Sequence, residues 1–203
     1  DGDALALFTA IENTGATLDE ATRIATNNLY IGLKSASLYD KLQAFYPIIG
    51  GTAAAHKFNG KNPADTNAAF RLSFLGGWTH SSTGAKPDGI TGYANTFYQV
   101  DTNGALGDLH ISYYSRTNNS GAHIEMGAVG NTSSSGSGQL YIAPNVSGSN
   151  FRAVNTTGNY SSVSNLNTAA FFVSSRTSLS SIEFYQNAAQ LITDSGLPNS
   201  ISN

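Results

Sequence analysis

The chain has 203 residues, a formal net charge of −3, 11% charged residues and no cysteine. So sparse and balanced a charge gives no electrostatic reason to expect nucleic acid or an anionic membrane surface as partner, and the missing cysteines exclude a disulfide framework, a cysteine–zinc site and a thiol nucleophile. The length suffices for one sizeable core, or a core with a small appendage, and no apolar run reaches the roughly 18 residues of a membrane span, so no membrane insertion is expected. The chain opens on Asp1 with no basic stretch, so no signal peptide is read.

Residues 1–49 read as helical. Leu5, Phe8 and Ile11 recur at spacing three within Asp3 to Asn13. Thr17-Leu18-Asp19-Glu20 has the form of a capping box, with the Thr17 hydroxyl accepting from the Glu20 amide. A helix is expected from there through Ile24 and Leu29 to about Lys34. A third short helix is expected from Ser37, with Leu38, Leu42 and Phe45 on one face and Pro47 as its stop. These helices need a surface against which to bury Leu5, Phe8, Ile24, Leu38, Leu42 and Phe45, either a sheet or other copies of the chain, so the segment reads as an attachment or oligomerisation element. Ile48-Ile49-Gly50-Gly51 reads as a hinge into a second domain over 52–203.

From Phe58 the period switches to two. Candidate strands lie at 56–59, 68–75, 93–100, 107–116, 122–129, 138–143, 150–154, 168–176, 180–187 and 188–193. In the clearest, Leu109, Ile111 and Tyr113 face one way while His110, Ser112, Tyr114 and Arg116 face the other. In 68–75, Phe70, Leu72 and Phe74 share a face. Strands spaced by about ten residues, with Gly, Asn and Ser turns between them, argue for an antiparallel sandwich or barrel. The stretch from Asn131 to Gly138 is locally low in complexity and reads as an exposed loop. The strands ending Ser115-Arg116-Thr117 and Ser175-Arg176-Thr177 echo each other, which reads as two strands leaving a core with an arginine at each exit.

Side chains able to carry chemistry are few. His56, His80, His110 and His123 are the only imidazoles, and none stands at metal-ligand spacing to another; His56 and His80 are expected to hydrogen-bond backbone groups. Asp65, Asp88, Asp101 and Asp108 are dispersed singly, and Asp88-Gly89 and Asn103-Gly104 read as turns before they read as calcium ligands. Glu125 and Glu183 each stand alone on a strand, where a glycoside hydrolase needs paired carboxylates. No Gly-x-Ser-x-Gly elbow occurs, and Gly136-Ser137-Gly138 lacks the continuation of a phosphate loop. No cofactor, metal or enzymatic activity is expected. Asparagine sequons at 118, 131, 145, 155 and 159 follow from composition. The aromatic residues remain. Trp78 and His80 in the Gly76–Ala85 stretch, with Tyr113 and Tyr114, are the candidate ligand-binding residues, since aromatic faces match the C–H faces of sugars. The plainer reading makes most of them core or interface fillers. Trp78, the only tryptophan, is expected to be mostly buried, closing one end of the sandwich, with its Nε1–H on a backbone carbonyl. The Gly76-Gly77 pair before it supplies a sharp turn, and 81–92 is expected to stay exposed.

Two signatures resemble the concanavalin A-like, laminin-G-like jelly roll. One is the strand entering at Phe58-Asn59-Gly60 and continuing to Phe74. The other is Ser181 to Ile192, which resembles that fold's hairpin with a Tyr-x-Asn-Gly turn. Here Ala188 stands at the usual glycine, which implies a turn wider than the two-residue type I′ form, whose centres both need φ > 0. A closer resemblance is to structural proteins of tailed bacteriophages of gut Bacteroidetes, usually described as virion or fibre proteins. The matching strings are Tyr46-Pro47-Ile48-Ile49-Gly50-Gly51-Thr52, His56-Lys57-Phe58-Asn59, Pro63-Ala64-Asp65, Ala68-Ala69-Phe70-Arg71-Leu72, Gly76 through Ala85, and His110 through Arg116. The resemblance covers nearly the whole chain. It implies a mainly β protein, an antiparallel jelly-roll β-sandwich preceded by a short helical segment. It places the chain in the virion as a fibre, appendage or decoration component built as a symmetric oligomer. Its partners are then other virion proteins, copies of itself and a host-surface glycan. The family continues for a few more strands, so closure of the sandwich is expected to need residues beyond Asn203 or another chain. The alternatives are a lectin-like carbohydrate-binding module and, more remotely, a polysaccharide depolymerase drawing on Glu125, Glu183 and Asp108.

Overall fold

Asp1 starts the first helix by accepting from the amides of Asp3 and Ala4. In this computed structural model, residues 1–104, 108–118, 124–129, 139–146, 150–154, 160–164, 167–178 and 181–194 are described; the expected loop at 131–138, His123, and the sequons at 131, 155 and 159 lie outside them. The described residues form mostly small antiparallel sheets with few helices, in two compact units, 1–98 and 99–203.

Helix α1 spans Gly2–Glu12 and α2 spans Glu20–Ser35. The buried stripe of α1 is Ala4, Leu7, Phe8 and Ile11, the i, i+3/i+4, i+7 set of one helix face, while Leu5 is 61% exposed. The cap of α2 is Asp19, whose carboxylate accepts from the Thr22 amide at 2.7 Å. The expected Thr17 box is displaced because an aspartate one residue before the helix reaches the third amide of its first turn directly. Ser37 then takes a left-handed φ of +56° and ends the helical path, so only a 3-10 turn, Tyr39–Lys41, forms where a third helix was expected. The core of this unit joins α1 and Tyr30 of α2 to Ala55 and Phe58, with Phe45 and Ile49 packed against it.

The expected hinge is part of that core. A Cβ on Gly50 would stand 2.7 Å from the Ala55 Cβ and 3.0 Å from Ile11 Cγ2. The segment 52–56, read in part as the start of a strand, is a short helix, α3 (Ala53–His56), capped by the Thr52 hydroxyl. The segment 68–75 is also not one strand. Thr66 caps a 3-10 turn at Asn67–Ala69, and Phe70 has a φ of +56°, which breaks the alternation before β1 (Ser73–Leu75) begins. β2 (Trp78–Ser81) and β3 (Gly84–Pro87) form a hairpin, and β4 (Tyr93–Asn95) returns to pair with β1. The β2–β3 hairpin falls where no strand was read, because residues 81–84 are a run of Ser, Thr and Gly.

The second unit opens with a turn of helix, α4 (Val100–Asn103), and then holds β5 (Leu109–Tyr114), β6 (Met126–Val129), β7 (Gln139–Val146), β8 (Asn150–Val154), β9 (Tyr160–Ser164), β10 (Phe171–Ser178), β11 (Ser181–Gln186) and β12 (Ala189–Asp194). One sheet has the order β12-β11-β10-β5 and the other β6-β7-β8-β9, all antiparallel. β7 packs against β5 and β10, and β12 against β9. Ile142 of β7 clusters with Ala170, Phe172, Ile182 and Phe184. The echoing strands β5 and β10 are direct neighbours, with Phe171 opposite Tyr114. Their arginines differ: Arg116 is exposed, while Arg176 is fully buried, its Nε donating to the Ser178 carbonyl at 3.0 Å. The β11–β12 turn is the tight two-residue form, with φ of +48° at Asn187 and +66° at Ala188. Asn187 is clamped from both sides, its amide donating to the Phe171 carbonyl and its Oδ1 accepting from the Phe171 amide at 3.0 Å. These bonds hold Ala188 in a conformation that an L residue rarely adopts.

Gly60 gives a direct test of the first core. A Cβ there would lie 2.5–2.9 Å from three atoms of the Phe45 ring, and that ring is held edge-on against Tyr30. Gly60→Ala is expected to lower stability by about 2 kcal/mol through overpacking, read by denaturant unfolding followed through the helical circular dichroism signal.

Candidate functional site

Trp78 and His80, two residues apart on β2, point to the same side, and Phe74 of β1 joins them. The Phe74 ring meets Trp78 edge-on at 5.0 Å and His80 at 4.6 Å, while Trp78 and His80 lie face to face at 6.0 Å, 27° apart. The fourth member is His56 at the end of α3. Its Nδ1 stands 2.9 Å from the Nδ1 of His80, and its Nε2 accepts from the Gly51 amide at 3.1 Å. The second contact fixes the first. Because Nε2 accepts, the His56 proton sits on Nδ1 and is donated to His80, whose own proton sits on Nε2. His56 is 1% exposed. Burial, then the neighbouring His80, pulls its pKa down to about 4, and burial also lowers that of His80. Both rings are therefore neutral at pH 7.

The Trp78 indole donates from Nε1 to the Leu75 carbonyl at 3.0 Å and to the Tyr93 carbonyl at 3.3 Å, the kind of backbone partner the sequence led us to expect. The ring is half-buried, where a mostly buried one was expected, and it belongs to the first unit. Gly76 has a φ of +74°, and a Cβ on it would stand 2.1 Å from the Thr91 carbonyl oxygen, while a Cβ on Gly77 would stand 2.4 Å from Asp88 Oδ2. The glycine pair serves close approach as much as turning.

Asp88 organises the facing loop. Its Oδ1 accepts from the amides of Ile90, Thr91 and Gly92, and its Oδ2 accepts from the Thr91 hydroxyl. These bonds hold the carboxyl far below the usual carboxylate range. Asp65 is engaged by Lys57 and Arg71. Residues 81–83 and 88–91 are exposed, as expected, although Gly84–Pro87 between them is a strand.

Tyr113 and Tyr114 belong to the second unit and lie on opposite faces of β5. Tyr113 packs against the core, and Tyr114 is 63% exposed. On that outward face, Tyr114 sits opposite Phe171, itself 42% exposed, and Tyr185 sits opposite Val173. The Tyr185 hydroxyl donates to Glu183 at 2.7 Å. Glu125 donates its amide to the Ile142 carbonyl. Among the described residues, no three of His, Asp and Glu converge as metal ligands. Sequence reasoning missed the pairing of His56 with His80. The two are 24 residues apart, so no local spacing marks them, and only the fold of α3 against β2 joins them. It also missed Phe171 as the partner of Tyr114, which depends on a strand pairing across the whole of β6–β9.

Compared with known proteins, the chain matches no family model, no curated protein and no solved structure.

The loop that faces Gly77 depends on Asp88. In Asp88→Ala, amide hydrogen exchange at Ile90, Thr91 and Gly92 is expected to accelerate by at least tenfold while the α1 amides keep their protection. Unchanged exchange at those three amides would show that the loop holds without the carboxylate.

Proposed function

We propose that this chain is a structural component of a tailed-bacteriophage virion, in a fibre, appendage or decoration, that assembles with copies of itself and displays a β-sandwich. The observation that carries the reading is an apolar stripe left on the helices: Leu5 is 61%, Ile24 53% and Ile31 50% exposed, and Leu5, Phe8, Ile24 and Asn28 line a shallow groove between α1 and α2. Exposed apolar residues gathered in this way are a mark of an assembly surface. The resemblance to phage virion proteins supports the same reading; five of its six strings fall in the first unit, on residues such as Gly50, Gly51, His56, Asn59, Phe70 and Gly76–His80, and the sixth falls on β5 of the second.

Within this reading, the two four-stranded sheets of the second unit are the faces of a concanavalin A-like sandwich. Support comes from Ile142 among the side chains of β10 and β11, and from β5, which pairs with β10 only after the four strands of the other sheet intervene. The remaining neighbours in each sheet follow chain order, whereas a jelly roll interleaves strands between its sheets. The strand order supports a two-sheet sandwich with β5 crossing to the edge of β10.

Cross-linking mass spectrometry of purified particles tests the role and the self-assembly together. Many copies of the chain per particle are expected, with homotypic cross-links through Lys41 near the helices. Absence of the chain from intact particles refutes the virion role, and its presence without homotypic links refutes the self-assembly.

A carbohydrate-binding role is the second reading, and the outward Tyr114–Phe171 pair favours it over one centred on Trp78, whose indole N–H is already taken up by backbone carbonyls. On a glycan array, Tyr114→Ala is expected to lose at least tenfold in binding relative to the wild type. Wild-type binding that survives the substitution unchanged would remove this face as the site. Weak single-site affinity would be multiplied by display in several copies.

A further inference from the structure

The pair His56–His80 is built so that neither ring can take up a proton without losing a bond. His56 has no free nitrogen: Nδ1 donates to His80 and Nε2 accepts from the Gly51 amide. A second proton on His56 must go to Nε2, where it faces the Gly51 N–H, donor against donor. A second proton on His80 must go to Nδ1, where it faces the His56 Nδ1–H. Each case converts a hydrogen bond into a repulsion beside a ring that is 1% exposed, His56.

What the pair joins is specific. His56 ends α3, which is part of the helical core, and Gly51 lies against the end of β2, where a Cβ on it would meet the Ser82 amide nitrogen at 3.4 Å. His80 stands on β2, stacked on Trp78 and edge-on to Phe74. The bond between the imidazoles thus ties the β2–β3 hairpin, with its tryptophan, to the helical core. We propose that the His56–His80 pair is an acid-sensitive latch, closed when both rings are neutral: a proton on His80 Nδ1 breaks the bond between the imidazoles and releases the β2–β3 hairpin and the Trp78 ring, while a proton on His56 Nε2 breaks the bond to Gly51 and loosens the α3–Gly51 corner that holds them. This goes beyond the virion reading and does not depend on it.

The neighbouring charges leave the pair to titrate on its own. On α3, the next residue, Lys57, is turned to Asp65 and over the Phe58 ring. On β3, Lys86 is opposite Thr79, on the side of the hairpin away from His80. Asp88, beside Gly77, is held by the 90–92 loop. Phe74 and Trp78 carry no charge. The unfolded chain takes up protons on these histidines near the ordinary value of 6.5, whereas His56 in place does so only at about 4. The unfolded or released form therefore binds more protons across that interval. The latch is at full strength above about pH 6.5 and weakens steadily as the pH falls towards 4.

Trp78 is the only tryptophan, so its fluorescence reports on this corner alone. The full chain is titrated from pH 8 to pH 3.5 with tryptophan emission and far-ultraviolet circular dichroism recorded together. Expected is a loss and red shift of Trp78 emission between pH 6.5 and pH 4, with the circular dichroism unchanged, and the disappearance of that transition in the double variant His56→Leu/His80→Leu. Nitrogen-15 imidazole spectra of the wild type at pH 7.5 give an arm that does not rely on the variant folding: His56 is expected as the Nδ1–H tautomer and His80 as the Nε2–H tautomer. The proposal is overturned if the emission stays constant until the circular dichroism collapses, if the double variant keeps the same transition, or if His56 shows the Nε2–H tautomer or titrates near 6.5.

Discussion

A single buried carboxamide holds the first unit together. Asn59 is 1% exposed and has both polar atoms of its side chain engaged: Oδ1 accepts from the Phe45 amide at 3.1 Å and the Lys61 amide at 2.9 Å, and Nδ2 donates to the Ala69 carbonyl at 3.0 Å and the Gln43 carbonyl at 3.5 Å. These bonds converge three stretches of chain that have little regular structure of their own. Its neighbour Gly60 receives the Phe45 ring and, through its carbonyl, the Tyr30 hydroxyl at 2.6 Å. From this node the order propagates. Ala69 ends the 3-10 turn, the Phe70 carbonyl accepts from the Tyr46 hydroxyl, the Leu72 amide bonds back to the Lys57 carbonyl, and β1 starts one residue later with Phe74 aimed at Trp78 and His80. In a low-dielectric interior a fully satisfied polar group of this kind specifies one arrangement, because any other leaves a donor or acceptor without a partner.

The second unit solves the same problem with strand register. On β10, Phe172, Ser174 and Arg176 are buried, while Phe171 is 42% exposed. A slip of one residue would turn Phe172 away from Ile142, Ile182 and Phe184, so that buried cluster fixes the pairing on both sides of β10. The tight Asn187-Ala188 turn, clamped on Phe171, sets the same register from the end of the β11 strand. Tyr114, Phe171 and Tyr185 are then left on the outer face by alternation alone.

The two units carry different kinds of surface. The first leaves isoleucine and leucine exposed on its helices and keeps its aromatic cluster packed and hydrogen-bonded. The second leaves aromatic rings outward on a sheet whose remaining outward positions include hydroxyl groups at Ser112 and Ser175. With 11% charged residues, neither unit has the charge density to recruit a partner over long range, so contact shape and short-range burial decide what binds.

Periodicity was enough to read the first two helices, the switch to strands near Phe58, and the inward and outward faces of β5, since these depend on side chains a few residues apart. The same reasoning failed wherever one backbone angle intervened. Ser37 and Phe70, each with a left-handed φ, cut an expected helix and an expected strand, and Ala188 held a tight turn that its residue type disfavours. Of the candidate site, Trp78 with its backbone-bonded indole and Tyr114 on an outward face were legible, because both follow from position along one strand. The pairing of His56 with His80 and the meeting of Tyr114 with Phe171 were not. Alternation and propensity act over neighbouring residues, whereas these contacts join parts of the chain 24 residues apart or more, and only the packing of whole elements decides which of the available partners a side chain meets.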